Sequence, residues 1–152
     1  MPHDGDWTYS LVFPPSHPWC GWEAAVSYCR IHEWLQRSFK ALGAETTLSA
    51  CCEKALPGQC FVGAERHDLL QDGRKLAGAA QRRNRLGLLV QGSVQPAGTP
   101  IGRADWERAM LAGSPIFGEI TWSEFSLDDR LRKRVAELVR EKFGNPAYNQ
   151  KR

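Results

Sequence analysis

Long apolar runs are missing from this 152-residue chain. None approaches the roughly 20 residues a helix needs to cross a bilayer, so no membrane partner is expected. Residues 1–6 do not lead from a basic segment into an apolar one, and they are not read as a secretory signal. The five cysteines, Cys20, Cys29, Cys51, Cys52 and Cys60, form no CxxC pair. Their odd number and irregular spacing outline neither a disulfide framework nor a zinc site, and reduced thiols in a cytoplasm are expected. His17, His32 and His67 have no metal-ligand spacing, so no metal is expected. A strong charge of one sign is also lacking. The net charge is +3, and the cluster Arg82, Arg83 and Arg85 is too small for a nucleic-acid binder. The sequence contains no GxGxxG, no Walker A pattern and no GxSxG elbow.

What is present is an ordinary globular mix, 42% hydrophobic and 24% charged. Residues 8–13 alternate like a strand and stop at Pro14-Pro15. Between Trp22 and Leu42, Ala25, Tyr28, Ile31, Leu35, Phe39 and Leu42 recur every three or four residues, which predicts a helix closed by Gly43. Residues 60–62 are short and apolar. Asp72-Gly73 signals a tight turn, and residues 74–81 and 86–94 read as strands of a meander. Residues 106–112 and 126–143 predict helices. The second has Ser126 as N-cap and an apolar face of Leu131, Val135, Leu138 and Val139. The expectation is an α+β fold, a mixed, mostly antiparallel sheet packed with helices, in a single domain over residues 1–152.

Lys75 is the residue best placed for chemistry. It precedes Leu76-Ala77-Gly78-Ala79-Ala80, a run of small and apolar residues that lets a ligand lie against the backbone. A lysine there can bind a phosphate or carboxyl oxygen or stabilise an oxyanion; an edge lysine that discourages strand pairing reads equally well. Cys60, fifteen positions earlier, is either a thiol activated by a nearby ammonium or a small buried hydrophobe. Gln91-Gly92-Ser93 ends a strand with a glycine that can admit a ligand and neighbours that can hydrogen-bond it. His3 and Asp6 can line a site, and disorder at the chain terminus reads equally well.

Taken in order, Cys60-Phe61, Asp68-Leu69, Asp72-Gly73-Arg74-Lys75-Leu76-Ala77-Gly78-Ala79-Ala80-Gln81-Arg82-Arg83 and Gln91-Gly92-Ser93 resemble the biotin/lipoate A/B protein ligase family, in its lipoate-ligase and octanoyltransferase branch. The opening residues 3–10 resemble that family's segment just after its ligand-binding glycine loop. The chain is therefore expected to be a partial catalytic domain: a truncated piece of a longer sequence, a fragment that dimerises to cover its exposed edges, or one half completed by a separate N-terminal chain.

The resemblance implies that Lys75 contacts the acyl carbonyl and that Cys60 carries the acyl chain as a thioester. The implied substrate-binding residues are Gly73, Arg74, Ala77, Gly78, Ala79, Gln91, Gly92, Ser93 and His3. The donor would be an acyl-carrier protein or lipoate, and the acceptor a lysine of a lipoyl domain. Acyl transfer needs no cofactor, whereas the alternative, an ATP-dependent lipoate-protein ligase, needs ATP and Mg. A second alternative is an inactive remnant or accessory subunit that binds a partner half or a lipoyl domain. Gln91 stands where many members carry histidine, and its carboxamide supplies no acid–base group.

Overall fold

The computed structural model describes residues 5–52, 63–96, 99–113 and 120–149. The chain divides into two compact units, residues 1–120 and 121–152. No helix among the described residues is long and apolar enough to cross a membrane.

The first unit is a five-stranded antiparallel sheet in the order β1-β5-β4-β3-β2, with helices packed on one side. Its strands are β1 (Trp7–Phe13), β2 (Thr47–Leu48), β3 (Leu69–Gln71), β4 (Arg74–Asn84) and β5 (Gly87–Val94). Helices α1 (Ala24–Ala41) and α2 (Arg103–Ala112) complete it. A short 3-10 turn at Pro18–Gly21, absent from the sequence reading, leads into α1. The strand expected at residues 8–13, the two strands of the meander and the three helices are present, with boundaries moved by a residue or a few; residues 60–62 lie outside the described residues, and β2 and β3 are not anticipated by the sequence reading. Leu86 falls in the β4–β5 turn instead of the strand.

The β3–β4 turn follows from its residues. Asp72 and Gly73 have φ of 50° and 74°, the left-handed conformation that two-residue hairpins require. Gly43 (φ 79°) ends α1 in the same conformation.

Strand alternation divides the sheet. Trp7, Leu88, Val90 and Val94 turn inward, and α1 covers them with Ile31, Trp34, Leu35 and Phe39, all less than a tenth exposed. Trp7 packs on Trp106 of α2 at 5.4 Å between ring centroids, and Trp34 donates its indole N–H to Met110 O at 2.8 Å. The basic stretch at the end of β4 is not simply solvated. Arg83 turns to the helix side and donates to Trp19 O (2.9 Å) and Ser27 Oγ (2.6 Å), satisfying groups where α1 begins.

The second unit holds α3 (Asp129–Leu138), a wider π turn at Val139–Phe143 and α4 (Pro146–Asn149). The cap of α3 is Asp128, not Ser126: its carboxylate accepts from Leu131 N at 2.7 Å. A carboxylate there also meets the positive end of the helix dipole. The expected apolar stripe is present, yet Leu131, Val135 and Val139 are exposed and no residue of α3 is buried.

Candidate functional site

One irregularity in pairing makes the site. Leu70 pairs with Lys75 but Leu69 pairs with Ala77, so Leu76 is an extra residue in β4, a β-bulge. Straight alternation from Ala77 would send Lys75 under α1. The bulge re-aims it, so that Leu76 and Ala77 are both buried in the core while Lys75 turns to the open side of the sheet. There its stem lies across Gly78. A Cβ on Gly78 would come within 2.7 Å of Lys75 Cε and 2.9 Å of Nζ. Glycine is what lets the lysine run flat along the strand.

Lys75 Nζ is 2.7 Å from Asp68 Oδ2, with the lysine side chain 10% exposed and the carboxylate fully buried. A carboxylate so placed must be satisfied on every side. Asp68 also accepts from Glu65 N at 2.7 Å and, through Oδ1, from the hydroxyl of Tyr28 on α1. Tyr28 Oη in turn accepts from Ala79 N at 3.0 Å, on the stretch of β4 beyond its pairing with β3. Burial, followed by the bond to Asp68, drives the Tyr28 phenol far above its ordinary range, so it remains a proton donor.

The open side carries a groove of about 510 Å³. Lys75, Gly78, Ala79 and Ala80 form one wall, with Gln91, Gly92 and Ser93 from β5 beside them and Thr8, Tyr9 and Ser10 from β1 beyond. Small residues keep it open, and hydroxyls and a carboxamide supply polar contacts: Ser93 Oγ donates to Asp6 Oδ2 at 2.7 Å, and Gln91 Nε2 is 3.4 Å from Ser10 Oγ. The Tyr9 ring lies over Gly92, where a Cβ would come within 2.2 Å of it. Its hydroxyl is buried with no hydrogen-bond partner among the described residues, and burial raises its phenol well above the ordinary range.

The residues read from sequence are thus distributed as follows. Lys75, Gly78, Ala79, Gln91, Gly92 and Ser93 come together at the groove. Gly73 and Arg74 are exposed at the hairpin before it, and Ala77 is buried in the core behind it. Cys60 and His3 lie outside the described residues. Sequence reasoning missed Tyr28, Asp68, Tyr9, Thr8 and Ser10. Asp68 was in view as part of a motif, while Tyr28 was counted only as one position in an apolar stripe.

Residues 1–96 match the family model of the lipoyl protein ligase A/B catalytic domain. The chain is 33% identical over 100 residues to octanoyltransferase LipM of Staphylococcus epidermidis, an alignment that covers 60% of this chain and 36% of the relative. Octanoyltransferase LipM of Staphylococcus aureus is 31% identical over the same length and with the same coverage. The chain therefore spans about a third of the length of these curated relatives. Among solved structures, a lipoate protein ligase from T. acidophilum with bound lipoic acid superposes with a TM-score of 0.72 at 14% identity, over 96% of this chain and 65% of that one. A lipoate-protein ligase A bound with ATP superposes at 0.71 and 14%, over 95% and 65%. At that identity the superpositions establish the fold alone.

Proposed function

Because the chain belongs to the lipoyl protein ligase A/B catalytic-domain family, we propose that it moves an octanoyl or lipoyl group onto a lysine of a lipoyl domain, with Lys75 holding the acyl oxygen at the groove. The observation that carries this is the position of Lys75 Nζ, braced on buried Asp68 and laid across Gly78 beside a channel of glycine and alanine. An ammonium fixed before the substrate arrives stabilises an oxyanion without reorganising. Small side chains along the channel let the acyl chain lie on the backbone, where each buried methylene contributes about 0.8 kcal/mol.

The chemistry runs in two steps. The Cys60 thiolate attacks the carbonyl carbon of an octanoyl thioester on an acyl-carrier protein. The tetrahedral oxyanion collapses, and the carrier's thiolate leaves. The deprotonated amine of the acceptor lysine then attacks the Cys60 thioester, an amide forms, the cysteine thiolate departs and the amine's proton goes to solvent. A cytoplasm, where thiols stay reduced, is the setting this requires. Lys75 is the one cation among the described residues lining the groove. That suits a single developing oxyanion.

The test is intact mass after incubation with octanoyl-carrier protein, for the unaltered chain and for Cys60→Ser. One added octanoyl group on the unaltered chain alone is the expected result. No adduct on either protein would sink cysteine-mediated transfer by this chain. Adduct formation that requires ATP would move the assignment to a lipoate-protein ligase.

A further inference from the structure

We propose that Tyr28 and Asp68 are the positioning residues of Lys75: a hold that runs from helix α1 around the edge of β4 and sets the ammonium over Gly78. The purpose given to Lys75 rests on the functional reading above, but the hold itself stands on geometry. Three donors converge on the Asp68 carboxylate, namely Glu65 N–H, the Tyr28 hydroxyl and Lys75 Nζ. The carboxylate is fully buried, so each donor constrains where the others can be.

The edge of β4 is what makes the contact available. The registered pairing of β3 with β4 begins at Leu69 and Ala77. Beyond it, the N–H of Ala79 meets the Tyr28 hydroxyl instead of a strand. The phenol thus serves as a one-residue continuation of the sheet edge. It accepts from the backbone that walls the groove and donates to the carboxylate that holds the lysine. The pose of the lysine is coupled by two hydrogen bonds to the same stretch of β4 that would carry the acyl chain. Tyr28 is also fixed from behind: its ring lies 4.2 Å from that of His32, whose Nδ1 is 2.9 Å from Tyr28 O. Without the hydroxyl, Asp68 retains the lysine but loses its link to α1 and to Ala79.

Two readouts on the full chain test the hold. The first is the nitrogen-15 resonance of the Lys75 ammonium, which burial and ion pairing should protect from exchange. It is expected to be observable in the unaltered protein, shifted or broadened in Tyr28→Phe and lost in Asp68→Asn. The second is acyl-transfer kinetics, in which Tyr28→Phe is expected to lower kcat about tenfold at unchanged KM, the pattern of an interaction used only in the transition state. Ser38→Ala removes a buried hydroxyl of α1 that bonds Trp34 O at 3.0 Å, far from this network. It should cost stability while leaving both readouts alone, which separates positioning from simple support of the helix. Tyr28→Phe keeps the shape of the side chain and serves if Asp68→Asn does not fold. An unchanged Lys75 resonance in Tyr28→Phe, or the same change in Ser38→Ala, overturns the proposal. A chain that transfers no acyl group sinks the functional reading alone, and the resonance then decides the hold by the same outcomes.

Discussion

On the side of the sheet that meets α1, Trp7, Phe13, Leu88, Val90 and Val94 are each less than a tenth exposed, and polar groups such as Arg83 are tied to the helix start. On the other side Thr8, Ser10 and Gln91 are exposed, and Val12 is 73% exposed. The same strands, in the same register, make both. The difference teaches that the covered side stores the stability of the unit, while the open side can keep small and polar residues for a ligand because little packing depends on them. Lys75 belongs to the open side by its tip and to the covered side by its anchor, through Asp68 and Tyr28.

The strongest way to expose the contrast is acid. His32 is fully buried on the covered side, and burial holds its imidazole down at about 4 instead of the ordinary 6.5. The unfolded chain therefore binds the proton first. The stability this provides is complete above pH 6.5 and is lost as the pH falls toward 4, a change of about 3 kcal/mol. Denaturant midpoints between pH 7 and 4 should show this slope, and His32→Gln should flatten it. A slope unchanged by that substitution would remove His32 from the account.

The two groove glycines give a sharper and smaller comparison. In Gly92→Ala the new methyl meets the Tyr9 ring at 2.2 Å, a buried group with little room to move. A cost of about 1–3 kcal/mol is expected in chemical denaturation. In Gly78→Ala the methyl meets Lys75 Cε at 2.7 Å and Nζ at 2.9 Å, and Asp68 Oδ1 at 3.0 Å, so the ammonium held on the buried carboxylate must shift. Stability should fall here too, by about 1–3 kcal/mol, but only at this position does octanoyl transfer also fall, roughly tenfold, because Nζ has moved. A loss of transfer in Gly92→Ala as large as that in Gly78→Ala would undo the distinction between the ring contact and the lysine contact. The mildest test is Val12→Ser on the open side, expected within about 0.5 kcal/mol of the unaltered protein. A larger loss would mean that this face is packed against something.

Much of the fold was legible because its signals are local. Asp72-Gly73 takes the two left-handed conformations of a hairpin turn, and Gly43 ends α1 where the periodicity stops. The end of the chain was read less well. Ser126 and Asp128 both suit a cap, and only the geometry shows which carboxylate or hydroxyl reaches the backbone of α3. The site was half legible. Lys75, Gly78 and Gly92 stand out as a cation and glycines where ordinary strand residues would do. Tyr28 did not, because its spacing serves a core stripe equally well and its partner is 40 residues away.

By itself, then, the sequence determined the longer helices and strands, the Asp72-Gly73 turn and the run of small residues that opens the groove, since each depends on backbone preference or on the period of a single segment. The tertiary structure alone decided which way Lys75 points. That choice comes from the bulge at Leu76, where two strands pair unequally, and from a buried carboxylate reached by an ammonium, a phenol and a backbone N–H. Such a site exists only once water has been excluded from around Asp68, and no segment can exclude it alone.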